Sequence, residues 1–355
     1  MNTLEYCHEF ELSKINFKER KTRITHPKTI ISGPLRSGKT FLIFDYLSNF
    51  ETKEFLYIDF NDIRNSKDII KKNLEEYIFR NNIKVLILEN FDFSFKIPYC
   101  DSVIISTYEK KELKGYKNIF LTPLDFEEYL LHENKNQNIT QSFNTFLKHG
   151  NLPQSVNLPE YKVYYELQNI LKLYAYDITT EKILKILFEN IDEKKSLNQL
   201  FINLKQEIKI SKDKFYAMCK KFEDEKIIYF IKKFNQDKAT KKIYSYNSAF
   251  LNSITHKKKF KNELTNIIFQ ELLNQKDEIF YLDYIDFYLP NKDIAICSIP
   301  FFNSMLMASQ LKKVLKTAHE YNIKNIYIIT VSNNEFIKKE SLQINVLPFY
   351  EWALS

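Results

Sequence analysis

The chain has 355 residues, of which 44% are hydrophobic and 15% aromatic, enough to form about two or three packed domains. Its formal net charge of +7 permits contact with nucleic acid but does not require it. The four cysteines lie far apart and no apolar run approaches the roughly 18 residues of a membrane span, which argues against a zinc site, a disulfide framework and a transmembrane segment. These features predict a soluble, cytoplasmic protein without membrane contact.

The first predicted elements surround a glycine-containing segment. A β-branched run at residues 28–32 predicts a strand, and apolar residues at helical spacing from position 41 onward predict a helix. Between them, Gly33 is followed after four residues by Gly38, Lys39 and Thr40, which is the pattern G-x-x-x-x-G-K-[ST]. Glycines allow backbone N–H groups to turn toward phosphate oxygens, and the helix N-terminus adds a partial positive charge.

This pattern predicts nucleotide binding, with ATP and Mg²⁺ as the cofactors. Lys39 is expected to contact the β- and γ-phosphates, and the Thr40 hydroxyl is expected to bind Mg²⁺. The predicted cofactor-binding residues are Gly33, Pro34, Leu35, Arg36, Ser37, Gly38, Lys39, Thr40 and Phe41.

Short apolar runs continue after the loop and predict further strands at residues 54–64, 84–92, 101–109 and 118–124. An amphipathic helix with Ser66 as its N-cap lies between the first two runs. Strands that alternate with helices predict an α/β fold with a parallel sheet, in which ligands bind at the carboxyl ends of the strands.

The pattern changes to helices at about residue 161. Three helices and a β-hairpin predict a winged helix-turn-helix, with Ser211 as the N-cap of its last helix. A second, smaller α/β unit follows. The predicted domains are therefore residues 1–158, 159–250 and 251–355.

Several segments, in this order, resemble the prokaryotic AAA+-like P-loop ATPases that carry a winged helix and a C-terminal domain related to PD-(D/E)xK nucleases. The segments are the phosphate loop, LILEN at 86–90, TPLDFEEYL at 122–130, FLKHGNLPQSV at 146–156 and YIDFYL at 284–289. The resemblance covers nearly the whole chain. It implies a P-loop NTPase parallel sheet, then a winged helix-turn-helix, then a small restriction-endonuclease-like α/β domain.

The resemblance also assigns catalytic positions, and the sequence departs from the family at some of them. The family's Walker B strand ends in Asp-Glu, whereas this strand ends in Glu89 and Asn90. Glu89 can hold Mg²⁺ through a water molecule, together with Thr40, but Asn90 cannot accept a proton. Asp92 is an alternative base, and a glutamate at position 90 is expected to raise turnover if water activation limits the rate.

Two further positions concern the transition state. The family's sensor residue corresponds to Ser106 or Thr107, so the predicted catalytic set is Glu89, Asn90 and Thr107. The family's arginine finger falls near Tyr116, where no arginine stands. Because such a finger contributes roughly 10³ to 10⁵ in rate, its loss predicts weak hydrolysis.

The later segments bear on nucleic acid. On the predicted recognition helix, the lysines that could contact DNA phosphates are Lys212, Lys214, Lys220 and Lys221. A solvated lysine face is the alternative interpretation, and residues 256–261 are interpreted as a charged linker. Glu263 and Asp286 match nuclease positions, but the strand at 294–298 has neither the glutamate nor the lysine of the motif. With no lysine expected near Asp286, nuclease activity is not expected.

The predicted function is ATP·Mg²⁺ binding with weak hydrolysis, used as a conformational switch on an unidentified protein partner. Two alternatives remain open: a DNA-associated ATPase that uses its winged helix, and a structural or inhibitory module that binds nucleotide without hydrolysing it.

Overall fold

The computed structural model describes residues 2–12, 15, 18–108, 111–134, 138–257, 259–275, 277–339 and 342–355. The chain divides into two compact units, Met1–Thr122 and Pro123–Ser355. The division into three domains with boundaries after residues 158 and 250 stays a prediction. Among the described residues, no helix combines the length and the apolar character needed to cross a bilayer.

The first unit is built on a five-stranded parallel sheet. Its strands are β1 (Lys28–Ser32), β2 (Phe55–Asp59), β3 (Val85–Glu89), β4 (Ser102–Ser106) and β5 (Lys117–Phe120). Their order across the sheet is β2-β3-β4-β1-β5, and every pairing is parallel. The helices of this unit are α1 (Asn2–His8), α2 (Lys39–Leu47) and α3 (Lys67–Arg80). The prediction of a parallel α/β sheet is confirmed, and β1 has the predicted bounds.

Burial explains why these segments are strands. Every residue of β3 and β4 is buried, which matches the continuous apolar character expected of central strands covered on both faces. Ser66 occupies the N-cap position of α3, as predicted, but its side chain makes no capping hydrogen bond. Because parallel strands end at the same edge, the carboxyl ends of β1 to β4 bring their polar residues together.

The second unit begins with helices and a hairpin. Its helices before the hairpin are α4 (Phe126–His132), α5 (Ile139–His149), α6 (Glu160–Tyr174), α7 (Ile178–Phe188), α8 (Leu197–Glu207) and α9 (Lys212–Asp224). The strands β6 (Ile228–Ile231) and β7 (Lys242–Ser245) pair in antiparallel fashion. Ser211 caps α9, and its hydroxyl accepts a hydrogen bond from the Lys214 N–H. The order of these elements is the one from which a winged helix was inferred, but the winged-helix fold itself stays a prediction.

A six-stranded mixed sheet completes the unit. Its strands are β8 (Phe280–Leu282), β9 (Ile285–Leu289), β10 (Ile294–Ser298), β11 (Asn325–Thr330), β12 (Glu335–Lys339) and β13 (Leu342–Pro348), in the order β12-β13-β11-β10-β9-β8. The remaining helices are α10 (Ala249–Ile254), α11 (Phe260–Asn274), α12 (Ala308–Glu320) and α13 (Phe349–Ala353). The sequence did not predict β12, whose five residues carry no clear apolar alternation. The relation of this sheet to nucleases stays a prediction.

Candidate functional site

The glycines of the loop after β1 meet two different needs. A Cβ on Gly33 would lie 2.2 Å from the carbonyl oxygen of Leu121, so only glycine fits this close approach. Gly38 has a φ of 100° and is the N-cap of α2, a left-handed conformation that glycine adopts without strain. The loop therefore delivers the chain from the end of β1 to the N-terminus of α2, where a phosphate is favoured.

Lys39 lies inside this loop. Its Nζ donates hydrogen bonds to the carbonyl oxygens of Gly33 and Pro34, both at 2.9 Å. It also lies 4.9 Å from the centre of the Tyr108 ring. Burial lowers the pKa of Lys39 to about 8, although the charge of Glu89 opposes this shift. The loop thus holds a desolvated amine, and a bound phosphate group would stabilise its protonated form.

Arg20 fixes the loop from outside the motif. Its guanidinium donates to the carbonyl oxygen of Ser37 at 2.8 Å and to that of Thr122 at 3.0 Å. The side chain is buried and comes from the segment before β1. Sequence reasoning missed Arg20, because no local pattern connects it to residues 17 and 102 positions away.

The other predicted loop residues surround this frame. Pro34 and Ser37 are buried, Leu35 is half-buried, and Arg36 is exposed with a φ of 61°. Phe41 is exposed at the start of α2. Within the described part of the chain, the buried hydroxyl of Ser37 has no hydrogen-bond partner.

Thr40 and Glu89 meet at the carboxyl edge of the sheet. The Thr40 hydroxyl donates to Oε1 of Glu89, and the Tyr57 hydroxyl donates to Oε2. Glu89 is only 3% exposed, and burial raises its pKa against the effect of these two hydrogen bonds. Burial, and then the charge of Glu89, raise the pKa of Tyr57. Sequence reasoning found Thr40 and Glu89 but missed Tyr57.

Asn90 forms hydrogen bonds with two residues at the same edge of the sheet, Ser106 and Asp59. Its backbone N–H donates to the Ser106 hydroxyl at 3.0 Å, and its Nδ2 donates to Oδ1 of Asp59 at 2.8 Å. Asn90 has a φ of 56°, a left-handed conformation that asparagine tolerates better than most residues. Asp59 was not predicted, although its place as the last residue of a strand at the ligand-binding edge was a usable signal.

The remaining predicted positions of this unit are placed as follows. Thr107 is buried, and its N–H donates to the carbonyl of Ile31 at the end of β1. Tyr116 is half-buried and packs against the apolar core. Asp92 forms an ion pair with Lys67 at 2.6 Å, with both side chains largely in solvent.

The oxygen donors at this edge fit a magnesium ion. Mg²⁺ prefers oxygen ligands and is commonly bound by one or two carboxylates together with substrate phosphates. The Thr40 hydroxyl and the Glu89 carboxylate are oxygen donors in direct contact, beside the loop expected to hold the phosphates. In the described ranges, this edge included, no cluster of three or more His, Cys, Asp or Glu is arranged to hold a metal.

In the second unit, most of the predicted DNA-contacting lysines of α9 have acidic partners. Lys214 pairs with Asp177, Lys220 with Asp224 at 2.8 Å, and Lys221 lies 3.7 Å from Glu225. Lys212 lies over the ring of Tyr216. Phosphate contacts from this helix would therefore compete with existing ion pairs.

The expectation that no lysine lies near Asp286 is wrong. Nζ of Lys242, on β7, lies 3.2 Å from Oδ1 of Asp286, and Nζ of Lys261, on α11, lies 3.3 Å from the same oxygen. Both lysines also pair with Asp192, at 2.6 and 3.1 Å. We call these four residues the ion-pair square. Spacing along the chain could not reveal it, because both lysines come from outside the strand where the motif places one.

The interpretation of residues 256–261 as a charged linker is also corrected. Helix α11 begins at Phe260, and Lys261 belongs to the ion-pair square. Lys259 pairs with Glu193 at 2.9 Å, and Lys257 with Glu189 at 3.4 Å. These two lysines therefore form ion pairs with acidic residues of the turn after α7. Lys258 lies outside the described residues.

The other residues of the nuclease-like pattern are present without its strand motif. Glu263 is buried in the first turn of α11. Oδ2 of Asp286 accepts a hydrogen bond from the Ser298 N–H at 2.8 Å. The two carboxylate oxygens of Asp286 are therefore engaged by a backbone amide on one side and by two ammonium groups on the other.

The first unit combines a five-stranded parallel sheet, a loop of the pattern G-x-x-x-x-G-K-[ST] and the Thr40–Glu89 contact, which is consistent with a P-loop NTPase. No family model matches the sequence. The chain is 25% identical to an uncharacterized protein of Methanocaldococcus jannaschii, over 92% of this chain and 88% of that protein. A Walker-type ATPase of Pyrococcus abyssi aligns with a TM-score of 0.44 at 10% identity, over 65% of this chain and 91% of that chain. That likeness is too low to support any conclusion about function.

Proposed function

We propose that the first unit binds ATP with Mg²⁺ and hydrolyses it slowly, as a conformational switch that acts on a protein partner. The observation that carries the proposal is the contact between the Thr40 hydroxyl and the Glu89 carboxylate beside the Lys39 ammonium group. Phosphate, magnesium and protein oxygens meet in this arrangement in P-loop proteins.

Each side chain has a separate task in this proposal. Lys39 exchanges the carbonyls of Gly33 and Pro34 for phosphate oxygens, and the ordered N–H groups of the loop bind the remaining oxygens. Thr40 and Glu89 would hold Mg²⁺, which when bound would supply positive charge to neutralise the terminal phosphates. Arg20 keeps the Ser37 carbonyl in place while the loop is loaded.

The test is calorimetric titration with ATP·Mg²⁺. Lys39→Ala is expected to lose ATP binding while keeping the thermal unfolding profile of the wild type, because it removes the buried cation of the loop. Lys28→Ala is the matched control, since Lys28 begins the same strand but lies over Tyr99. Unchanged affinity in Lys39→Ala would contradict the proposal.

A DNA-associated ATPase that uses the exposed lysines of α9 is the alternative, and its phosphate contacts would have to displace the ion pairs of these lysines. It predicts DNA binding that weakens steeply with salt, because phosphate contacts release counterions. Substitution of Lys212 and Lys214 by alanine would then reduce the salt slope. Binding that is absent at low salt would exclude this alternative.

Slow ATP hydrolysis and nucleotide binding without hydrolysis are distinguished by whether phosphate is released. Phosphate release separates slow hydrolysis from a module that binds nucleotide without turnover, in which purified protein would carry intact nucleotide.

Incubation with plasmid and linear DNA in Mg²⁺ and Mn²⁺ is expected to give no cleavage, because the ion-pair square engages Asp286. Cleavage that is lost in Asp286→Ala would make the second unit a nuclease.

A further inference from the structure

Asp59 lies at the carboxyl edge of the sheet beside the predicted magnesium residue. It is the last residue of β2 and pairs in register with Glu89, the last residue of β3. Adjacent strands are about 4.8 Å apart, so the two carboxylates come from neighbouring backbone positions on the same edge. The phosphate loop leaves β1 at this edge as well.

The carboxylate of Asp59 is fixed through one oxygen. Its Oδ1 accepts hydrogen bonds from Nδ2 of Asn90 at 2.8 Å and from the N–H of Asn61 at 2.9 Å. Among the residues that the structure describes, Oδ2 has no hydrogen-bond partner. The side chain is half-buried. One oxygen is therefore oriented by the protein, while the other is left to accept a proton.

The other carboxylates near this edge are engaged at both oxygens or by a cation. Glu89 accepts from Thr40 and Tyr57 through its two oxygens. Asp92 is paired with Lys67 in solvent. Asp59 is thus the carboxylate with a vacant oxygen next to Glu89.

Electrostatic effects connect Asp59 to the loop. Burial is the main cause that raises the pKa of Glu89, and the charge of Asp59 adds to it. Burial, then Glu89 and to a smaller extent Asp59, raise the pKa of Tyr108, whose ring covers the Lys39 ammonium group. The charge of Asp59 is therefore felt on the carboxylate and on the ring that flank Lys39.

We propose that Asp59 is the general base for the attacking water, and that Asn90 is its positioning residue; this rests on the proposed ATP hydrolysis. The water oxygen forms a bond to the γ-phosphorus, and the bond between that phosphorus and the β–γ bridging oxygen breaks, so that ADP leaves with the electron pair. One proton of the water passes to Oδ2 of Asp59 and then to solvent. The products are ADP, inorganic phosphate and a proton.

Asp59→Asn is the first test, because the amide keeps an oxygen that can accept from Asn90 and Asn61 but cannot take the proton. Turnover of ATP·Mg²⁺ is expected to fall about 10²-fold or more, the usual contribution of a general base, while the ATP affinity stays within about twofold. Asp101→Asn is the matched control, because Asp101 is an exposed carboxylate directly before β4, at the opposite edge of the sheet, and it is expected to keep wild-type turnover.

The second test concerns positioning. Asn90→Ala removes a donor to Oδ1 of Asp59, which should lower kcat while the KM for ATP·Mg²⁺ stays within about twofold, and should add little further loss of kcat to the Asp59→Asn variant. A merely structural role of Asn90 would lower kcat by the same factor in the wild type and in the Asp59→Asn variant.

The outcomes separate the two proposals. A wild type that does not bind ATP refutes the proposed function, and this inference with it. A wild type that binds ATP without turnover, or an Asp59→Asn variant that binds and turns over like the wild type, overturns the inference and leaves ATP binding intact. If Asp59→Asn no longer binds ATP, the kinetics of Asn90→Ala decide, and an unchanged kcat overturns the inference.

Discussion

The hydroxyl of Thr40 donates a hydrogen bond to the carboxylate of Glu89, across 49 positions of sequence. Thr40 lies in the first turn of α2, after β1, and Glu89 ends β3, which is separated from β1 by β4. The contact therefore depends on the strand order of the sheet. It joins the loop that predicts phosphate binding to the carboxylate that predicts metal binding.

Glu89→Gln is expected to reduce the magnesium-dependent part of ATP affinity by about 10- to 100-fold, because an amide replaces the negative charge that supports the ion. Affinity for ATP in EDTA should change little. Titrations with and without Mg²⁺ measure both quantities. Tyr57→Phe is the control, since it removes a hydrogen bond to Glu89 but keeps the charge, and its effect should be the smaller of the two.

ATP binding is expected to take up a proton at alkaline pH. The pKa of Lys39 is about 8 in the ligand-free loop, so its ammonium group loses its proton as the pH rises through that value. Phosphate favours the charged form and raises the pKa again. Calorimetry at pH 9, in buffers with different ionisation enthalpies, should report uptake close to one proton, and at pH 6.5 close to none. Lys39→Arg stays charged and should abolish the difference.

Asn90→Glu is expected to lower stability and to leave turnover unraised, which reverses the expectation from sequence. The position has a φ of 56°, and a left-handed conformation costs an ordinary residue roughly 1–2 kcal/mol. The new carboxylate would also stand beside Asp59 in place of a donor. Phosphate release and thermal unfolding measure the two effects. Faster turnover in Asn90→Glu would show that water activation is missing in the wild type.

Lys242→Met is expected to destabilise the second unit by about 3–5 kcal/mol, because it leaves Asp192 and Asp286 buried with less compensating charge. Lys261→Met should cost less, since the Lys261 side chain is 48% exposed whereas that of Lys242 is 6% exposed. Denaturant unfolding compares the two variants. Equal costs would contradict the assignment of Lys242 as the buried cation of the square.

The pH dependence of the square follows from the signs of two shifts. Burial disfavours both charged forms, but Lys242 and Lys261 lower the pKa of Asp286, and Asp286 and Asp192 raise the pKa of Lys242. Asp286 contributes fully to the free energy of unfolding above its unfolded pKa of 3.8. This contribution is lost as the pH falls through the lower pKa that Asp286 has in the folded protein. Lys242 contributes fully to the free energy of unfolding below its unfolded pKa of 10.5. This contribution is lost as the pH rises through the higher pKa that Lys242 has in the folded protein. Lys242→Met should therefore flatten both the acidic and the alkaline limb of a plot of the free energy of unfolding against pH.

The sequence by itself determined the features that depend on neighbouring residues. The strand at Lys28–Ser32, the glycines around the loop, the helix that starts at Lys39 and the Ser211 cap all follow from periodicity, backbone conformation and local hydrogen bonds. These are short-range preferences, so the predicted bounds and the observed ones agree closely.

Only the tertiary structure decided which distant side chains meet. The strand order brings Asp59 and Asn90 together, the segment before β1 brings Arg20 to the loop, and the hairpin with α11 brings Lys242 and Lys261 to Asp286. Hydrogen bonds and ion pairs act over a few ångströms, and residues far apart in sequence reach that distance only through strand register and packing. The sequence pattern could therefore mark Asp286 as a candidate, but not show that two lysines compensate its charge.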